Sequence, residues 1–226
     1  LAAEAGADYV KFQVANSNII SRYAPKAKYQ IKSSKNSKET QHEMIKKIEL
    51  NWDKINLRLK KHCKKKDIKF LTSAFTLEDV RKVKKLNTEI LKIASGEITN
   101  FPLLKLIGKI NKKTILSTGM SSFREIDYAV KVLRKSGLKN KNLIIMQCTT
   151  AYPTPIEELN LNSILEFKKR YKVDVGLSDH SLGTLAPIAA IGLGARYVEK
   201  HFTISKKLNG PDHKASLSPF ELKKLI

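Results

Sequence analysis

Two histidines stand at matching positions of two short apolar segments. His180 ends Val175-Gly-Leu-Ser-Asp-His, and His201 ends Val198-Glu-Lys-His. Each segment has the composition of a buried strand, and an Ala/Ile/Leu-rich helical run at 183–194 separates them. Such a strand–helix–strand unit brings two parallel strands to one sheet with their carboxyl ends at the same edge. Two neutral imidazoles there are good ligands for a borderline divalent metal, although a lone histidine is more often an ordinary partly buried polar residue.

Two lysines lie inside apolar strands rather than on helix faces. Burying the ammonium groups of Lys11 and Lys92 costs free energy unless they bind an anion or reach solvent. Serines follow the strand ends at Ser73, Ser95, Ser117 and Ser178. Two cations with these hydroxyls predict a small ligand carrying phosphate and carboxylate groups. A Schiff base at Lys92 is a rival role, but the histidine pair favours a metal that polarises a carbonyl.

The elements that position these residues alternate regularly. Strands are predicted near 9–13, 68–75, 89–94, 113–119, 142–148, 175–180 and 198–201, each separated from the next by helix. Residues 14–38 predict a long loop, and residues 40–50 and 51–65 predict two amphipathic helices. Polar residues at every strand's carboxyl end are typical of an α/β TIM (β/α)8 barrel. A doubly wound open sheet is the alternative, but its glycine-rich phosphate fingerprint is absent.

Length and composition are consistent with one barrel domain. The chain has 226 residues and begins without methionine inside a predicted helix. We therefore expect a fragment, with residues 1–226 forming a single domain that lacks the first barrel strand at the N-terminus. No apolar run approaches the roughly 20 residues of a membrane span. Cys63 and Cys148 match no metal or disulfide spacing, which favours the reducing cytoplasm.

A net charge of +22 raises the possibility of a nucleic-acid partner. The lysines, however, are scattered over nearly every predicted helix instead of forming one stripe with interleaved aromatic residues. Solvated helix faces explain most of this charge, and we expect no nucleic-acid partner. The charge should still steer anionic substrates towards the protein.

Six motifs together resemble those of the sialic acid synthases. They are Lys92-Ile-Ala-Ser-Gly-Glu-Ile-Thr-Asn100, Ile115-Leu-Ser-Thr-Gly-Met120, Cys148-Thr-Thr-Ala-Tyr-Pro153, Gly176-Leu-Ser-Asp-His180, Glu199-Lys-His-Phe-Thr203 and Gly210-Pro-Asp-His-Lys-Ala-Ser216. This family includes N-acetylneuraminate synthases and relatives that make legionaminic and other nonulosonic acids. The resemblance covers essentially the whole chain in order, which makes it specific.

The resemblance implies a transferase that condenses phosphoenolpyruvate with N-acetylmannosamine to give N-acetylneuraminate and phosphate. By that similarity His180 and His201 hold Mn²⁺, with Mg²⁺ or Co²⁺ as alternatives, at the aldehyde oxygen of the sugar. Six residues would bind phosphoenolpyruvate: Lys11, Ser73, Lys92, Ser95, Ser117 and Ser178. Five would face the sugar: Gln13, Glu97, Thr150, Tyr152 and Asp212.

Departures from the family pattern concern the sugar and the assembly. Phe-Gln-Val-Ala follows Lys11 where some N-acetylneuraminate synthases have His-Gln-Thr-His, and Ser73-Ala74 replaces the usual Thr-Pro. N,N'-diacetyllegionaminate or pseudaminate synthesis is therefore an alternative. The family's C-terminal antifreeze-like (SAF) domain, which completes the partner's site in a homodimer, lies outside these residues. A non-catalytic, polyanion-binding barrel is the alternative from another class.

Overall fold

The computed structural model of the chain describes residues 1–13, 17–33, 38–52 and 57–226. Seven parallel strands form one sheet in chain order: β1 Tyr9–Gln13, β2 Lys69–Ser73, β3 Ile90–Ile93, β4 Lys113–Ser117, β5 Leu143–Cys148, β6 Asp174–Asp179 and β7 Tyr197–Lys200. The helices of these residues are α1 Lys28–Ser33, α2 Gln41–Ile48, α3 Leu57–Lys65, α4 Leu77–Lys85, α5 Phe101–Ile110, α6 Phe123–Lys135, α7 Ser163–Tyr171, α8 Leu185–Gly192 and α9 Pro219–Leu225. From α3 onwards, helices alternate with the strands.

The sheet curls until its two edge strands face each other. Lys11 of β1 lies with its Nζ atom 3.0 Å from Oε1 of Glu199, which belongs to β7 at the other edge of the sheet. A flat sheet of seven strands would hold these two residues about six strand spacings apart, at roughly 4.8 Å each. The predicted α/β barrel architecture is therefore confirmed. The expectation of an eighth strand stays a prediction.

The strands separate two cores. One lies inside the curled sheet and consists of Tyr9, Leu71, Ile90, Ile115, Ile144, Met146 and Tyr197. The other, much larger, lies between the sheet and the helices and includes Ile93, Leu116, Ile145, Leu103 and Phe167. Alternate residues of a strand face opposite sides, so each buried strand supplies both cores. The same alternation carries polar side chains to the inner face at the strands' carboxyl ends.

Helix starts follow the cap signals of the sequence. Thr76, Ser122 and Ser218 are residue types that favour the N-cap position, and they close capping boxes at the starts of α4, α6 and α9 respectively. In such a box, the cap side chain and the side chain three residues later satisfy backbone N–H groups that the helix leaves unpaired. These contacts fix where each helix begins and therefore how long the preceding loop is.

The segment predicted as a long loop at 14–38 contains more structure than its composition indicates. It includes a short 3-10 helix at Ser17–Ile19 and the helix α1. The Ala27 N–H donates to Gln30 Oε1 over 2.8 Å at the start of α1, and Lys26 forms a buried ion pair with Glu39 over 3.2 Å. Polar side chains thus order this segment, which an apolar periodicity does not reveal.

The helix predicted at 51–65 is observed as α3, from Leu57 to Lys65. Residues 53–56 of that prediction, and residues 14–16 and 34–37 of the predicted loop, lie outside the described residues. None of the described helices has the length and apolar character needed to span a bilayer.

Candidate active site

The carboxyl ends of β6 and β7 carry the two histidines on the inner face of the sheet. Ser178 and Glu199 are partners in the β6–β7 register, and Ser178 Oγ donates to Glu199 Oε1 over 3.0 Å. Two residues further on, the rings of His180 and His201 lie with their centroids 5.2 Å apart. The strand–helix–strand expectation is thus confirmed in its geometry.

Glu199 joins the two strand lysines. Its Oε1 lies 3.0 Å from Lys11 Nζ, and its Oε2 lies 3.3 Å from Lys92 Nζ. Lys92 is 2% exposed and also donates to Ser117 Oγ over 2.6 Å. Two ammonium groups, one carboxylate and the hydroxyls of Ser117 and Ser178 therefore form one network inside the barrel, here called the lysine cluster.

Charge and burial act against each other in the lysine cluster. Burial alone would raise the pKa of Glu199, but Lys11 and Lys92 outweigh it, so this pKa lies far below its usual range and the group is a carboxylate. Burial lowers the pKa of Lys92, and the negative charge of Glu199 partly offsets that effect. The carboxylate is therefore what favours a charged Lys92 in a buried position.

Two further serines complete the rim. Ser73 is fully buried at the end of β2, its Cα is the register partner of Lys92, and its Oγ has no hydrogen-bond partner among the described residues. A buried hydroxyl without a partner is uncommon and is expected where a ligand or water binds. Ser95 Oγ accepts from the Gly119 N–H over 3.0 Å, which draws the loops after β3 and β4 together.

Gly119 has to be a glycine because of this close approach. A Cβ atom there would lie 2.9 Å from Ser95 Oγ and 2.7 Å from Thr150 Cγ2. Cys148 lies beside the same serine, and burial raises the pKa of its thiol. The thiol is therefore protonated at neutral pH, which suits a buried structural residue better than a nucleophile.

Both histidines are held through Nδ1. His180 Nδ1 lies 2.6 Å from the Thr149 carbonyl oxygen, so Nδ1 must carry the proton and Nε2 the lone pair. His201 Nδ1 lies 3.4 Å from Asp212 Oδ2, which favours the same tautomer. Burial lowers the pKa of His180 to about 4, so this imidazole is neutral at physiological pH. Both rings can present an unprotonated Nε2 atom.

The donor set fits a divalent cation held by two imidazoles. Metal-ligating histidines generally donate Nδ1–H to a carbonyl or a carboxylate, which fixes the ring and strengthens the other nitrogen as a ligand. Thr149 and Asp212 occupy those positions here. In the described part of the chain no group of three or more His, Cys, Asp or Glu side chains is arranged around a metal position. Any bound cation would therefore keep most of its coordination positions for water or substrate.

The rings of Tyr152 and Tyr29, here called the aromatic wall, lie beside the histidines. Tyr152 stacks on His180 with ring centroids 4.0 Å apart and contacts His201 edge-on at 5.6 Å. Tyr29 also stacks on Tyr152, with the two ring centroids 4.9 Å apart. Stacked aromatic rings offer an apolar surface against which the C–H groups of a sugar can pack. Asp212, at the edge of the wall, supplies a hydrogen-bond acceptor.

The remaining predicted sugar-binding residues are placed less centrally. Thr150 lies beside Gly119 in the loop after β5. Gln13 is exposed at the end of β1, where its Cα pairs with Ser73. Glu97 accepts a hydrogen bond from Asn100 over 2.7 Å. The hydrogen bonds of the lysine cluster described above include neither Gln13 nor Glu97.

Two site residues had not been singled out from the sequence. Glu199 had a signal, because it precedes His201 by two positions just as Ser178 precedes His180, and alternation places all four on one face. Tyr29 had none, because it lies in the segment predicted as a loop and stacks on Tyr152 from there.

Comparison with known proteins agrees with this geometry. The NeuB family model matches residues 1–226. The chain is 50% identical over its whole length to the N,N'-diacetyllegionaminic acid synthase of Campylobacter jejuni, covering 67% of that protein. It is 36% identical to the synthase of the same name from Legionella pneumophila, covering 64% of it. The chain thus spans about two thirds of these curated relatives.

A solved structure is also similar. The crystal structure of the N-acetylneuraminic acid (sialic acid) synthetase from Leptospira borgpetersenii, in complex with citrate, matches with a TM-score of 0.86 and 33% identity. The match covers 99% of this chain and 72% of that one. Because the family model and the first curated relative both cover all 226 residues, the chain belongs to the NeuB family.

Proposed function

We propose that residues 1–226 form the catalytic barrel of a nonulosonic acid synthase. This transferase condenses phosphoenolpyruvate with the open-chain aldehyde of an N-acetylated hexose and releases phosphate. The observation that carries the proposal is the lysine cluster, in which Lys11 and Lys92 meet at Glu199 next to the paired histidines. Few ligands other than a small multiply charged anion account for a buried ammonium group at Lys92 with a second, partly exposed one at Lys11 beside it.

The cluster supplies the contacts that phosphoenolpyruvate needs. Lys11 and Lys92 bind its phosphate and carboxylate by charge-assisted hydrogen bonds, which are about twice as strong as neutral ones. The unpartnered Ser73 hydroxyl, with Ser95, Ser117 and Ser178 on the same rim, provides further donors. Glu199 anchors both lysines between catalytic cycles, so the site is organised before the anion arrives.

A Schiff base at Lys92 is less consistent with the contacts. That chemistry requires a neutral, free amine as nucleophile. Lys92 instead donates to Ser117 and lies in an ion pair with Glu199. A lysine held by an anion and a hydroxyl suits electrostatic binding of a substrate better than covalent attack.

His180 and His201 are the residues that would hold a divalent cation, with Mn²⁺ proposed and Mg²⁺ or Co²⁺ as alternatives. Such a cation acts as a Lewis acid that polarises the sugar aldehyde. Tyr152 supplies the packing surface for the sugar, and Asp212 an acceptor for a hydroxyl or amide. Gln13, Glu97 and Thr150 are proposed to contact more distant parts of the sugar.

The lysine cluster and the histidine pair are adjacent, so the two bound substrates can react with each other. C3 of phosphoenolpyruvate forms a bond to the aldehyde carbon, and the aldehyde oxygen takes up a proton to become a hydroxyl. Water adds at C2; one of its protons balances the proton taken up by the aldehyde oxygen and the other leaves with phosphate. The bond between C2 and the bridging phosphate oxygen breaks, and C2 becomes a ketone. The lysine cluster holds the developing phosphate dianion in place throughout.

A specific observation favours one acceptor sugar. The relative with 50% identity is named for N,N'-diacetyllegionaminic acid, whose synthesis requires a 2,4-diacetamido-6-deoxyhexose in place of N-acetylmannosamine. The stacked Tyr29–Tyr152 wall also suits an acceptor with additional methyl groups. We therefore propose the diacetamido sugar ahead of N-acetylmannosamine, with a pseudaminate-type acceptor as the third candidate.

Two further proposals concern the surroundings of the enzyme. The free, buried cysteines Cys63 and Cys148 support a cytoplasmic location. The similarity to longer synthases supports a homodimer of the full-length protein.

A polyanion-binding barrel, the alternative from another class, leaves the histidine pair and the inward-facing lysine cluster without a role.

The test is phosphate release from phosphoenolpyruvate by the full-length protein with Mn²⁺, with the diacetamido sugar and N-acetylmannosamine assayed side by side. We expect release with the diacetamido sugar and its loss in His180→Ala. Lys92→Met should raise KM for phosphoenolpyruvate about a hundredfold, the usual scale for breaking a buried charge pair. Lys113→Met is the matched control, because Lys113 is also a strand lysine but binds the Tyr197 hydroxyl at 2.8 Å.

Release with neither sugar from a folded, Mn²⁺-binding protein would contradict the synthase proposal. Equal effects of Lys92→Met and Lys113→Met would remove the lysine cluster from phosphoenolpyruvate binding. Faster release with N-acetylmannosamine would reverse the order of the two acceptors and leave the reaction class intact.

A further inference from the structure

A buried ion pair lies directly behind the histidines and has no role in the function proposed above. Lys200 Nζ donates to Asp179 Oδ2 over 2.8 Å, and the two side chains are 3% and 0% exposed. Asp179 immediately precedes His180, and Lys200 immediately precedes His201. The two Cα atoms are partners in the β6–β7 register, so the ion pair joins the strands at the level of the histidines.

Strand alternation separates the ion pair from the site. On the inner face, Ser178 contacts Glu199 and His180 contacts His201. Asp179 and Lys200 fall between these residues in sequence, so their side chains lie on the opposite face, towards the helices. The ion pair therefore touches neither the lysine cluster nor the Nε2 side of the imidazoles. Any effect on the spacing of the two imidazoles has to pass through the backbone that both faces share.

The ion pair also holds the chain that follows His180. The Ser181 N–H donates to Asp179 Oδ1 over 2.8 Å, and Ser181 Oγ donates to Asp179 Oδ2 over 3.1 Å. Lys200 Nζ donates in addition to the Ser181 carbonyl over 2.6 Å. The residues on both sides of His180 are thus tied to the residue before His201.

Stability alone accounts poorly for this arrangement. Removing two charges from water is costly, and a buried ion pair is often no more stabilising than apolar residues of similar volume. What the pair provides instead is directional: two hydrogen bonds from Lys200 join the two strand ends, and two more, from Ser181 to Asp179, hold the chain after His180 against the same carboxylate. The affinity of two ligands for one cation depends on their separation being set before the cation binds.

We propose that Asp179 and Lys200 are positioning residues that fix the spacing of His180 and His201 and thereby set the affinity of the chain for a divalent cation. This inference rests on the proposed function, in which the two histidines hold that cation. Two sets of contacts position the imidazoles in different ways. Thr149 and Asp212 set the rotation of the imidazole rings, and the ion pair sets the separation of the strands that carry them.

The test is binding of Mn²⁺ alone to the full-length protein, followed by the electron paramagnetic resonance signal of free Mn²⁺. The variant is Asp179→Leu with Lys200→Met, which replaces the pair by apolar side chains of similar size. It also leaves the Ser181 N–H, hydroxyl and carbonyl without these partners and should lower thermal stability, so Mn²⁺ binding is measured at a temperature well below its unfolding midpoint. We expect Mn²⁺ affinity to fall about tenfold, the scale seen when the groups behind metal ligands are removed. The single variant Lys200→Arg keeps hydrogen-bond donors at this position and should retain most of the Mn²⁺ affinity of the unaltered protein.

The matched control lies on the same two strands. Arg196 and Asp174 form an ion pair at 3.5 Å near the other end of β6 and β7. Asp174→Leu with Arg196→Met should leave Mn²⁺ affinity unchanged. If the Leu/Met variant at 179 and 200 does not fold, Asp179→Asn with Lys200→Gln replaces it, because this pair removes the charges and keeps hydrogen-bonding groups.

The outcomes separate the inference from the proposed function. A folded variant with undiminished Mn²⁺ affinity would overturn the positioning role and leave the histidine site standing. Equal losses in the variant and in the control pair would also overturn it, since the effect would then be one of general stability. If the unaltered protein shows no Mn²⁺ binding that His180→Ala abolishes, the histidine site is wrong and the role of the ion pair falls with it.

Discussion

Glu199 is a carboxylate that lies between the ammonium groups of Lys11 and Lys92, and burial alone would favour the neutral form of Lys92. Burial lowers the pKa of Lys92, and Glu199 acts in the opposite direction. Without this carboxylate Lys92 would lose its proton at a lower pH, because nothing else in the lysine cluster carries negative charge. The glutamate thus maintains the charge on which the proposed binding of phosphoenolpyruvate depends.

Glu199→Gln should therefore change the pH dependence of the enzyme. Protonated Lys92 is the binding form, and its fraction falls as the pH rises through its pKa. We expect the alkaline fall of kcat/KM for phosphoenolpyruvate to move to lower pH, since that profile reports the free enzyme. The measurement is kcat/KM between pH 6 and pH 10.

Glu89→Gln is the control for this variant, because Glu89 pairs with Lys69 at 3.0 Å on the exposed side of the sheet. Its profile should match that of the unaltered protein. A raised KM in Glu199→Gln with an unmoved alkaline limb would show that the glutamate only shapes the pocket.

At the level of single residues the sequence predicted most of the site. The histidines and the strand lysines were found because polar groups in apolar strands are costly and stand out. Glu199 was missed because it lies in a charged run, Glu-Lys-His, where exposure is the ordinary interpretation. Strand alternation from His201 places Glu199 on the inner face, in agreement with its pairing with Ser178.

The last helix, α9, offers a prediction at the level of the element. Ser218 and Glu221 form its capping box, and Lys206 Nζ donates to Glu221 Oε1 over 2.6 Å. The Lys206 ammonium and the Ser218 N–H lower the pKa of Glu221 from 4.5 to about 2. This carboxylate therefore stabilises the fold fully above pH 4.5, and that contribution is lost as the pH falls through about 2.

Glu221→Gln should lower the free energy of unfolding at pH 7 by about 0.5–1 kcal/mol, because the amide still closes the capping box but loses the charge that pairs with Lys206 and with the helix N-terminus. Towards pH 2 the difference in unfolding urea concentration between the variant and the unaltered protein should shrink, because Glu221 is then about half protonated in the folded state and fully protonated in the unfolded state. Glu125→Gln in the capping box of α6 is the comparison. Glu125 accepts from the N–H and hydroxyl of Ser122, and its substitution should change the free energy of unfolding less than Glu221→Gln does. An equal difference between variant and parent at both pH values would speak against the ionic contribution.

Elements with a cap and an apolar stripe were predictable, and the segment before α2 was not. Thr76, Ser122 and Ser218 mark helix starts through local hydrogen bonds that depend on neighbouring residues in sequence. The helix α1 depends instead on polar contacts such as the Lys26–Glu39 ion pair, whose partners are thirteen residues apart. A composition rich in Ser, Lys and Asn does not reveal which of its side chains become buried.

At the scale of the whole molecule the alternation of strands and helices predicted the barrel, and the closure of the sheet could not be read from it. Closure is seen in the contact between Lys11 and Glu199, which lie 188 residues apart. That contact arises from the accumulated curl of seven strands, each of which contributes a small rotation. It also means that the site is assembled from both edges of the sheet and requires the complete curl.

The net charge of +22 gives the prediction at this scale. A strongly positive protein accelerates the encounter with an anionic substrate, and salt screens that attraction with a Debye length of about 8 Å at physiological ionic strength. We expect kcat/KM for phosphoenolpyruvate to fall severalfold as KCl is raised from 20 to 300 mM, while kcat stays nearly constant. The uncharged sugar is the internal control, because its kcat/KM has no comparable attraction to lose. A parallel fall for both substrates would indicate that salt perturbs the fold, and no fall for either would show that only the lysine cluster, not the overall charge, attracts the anion.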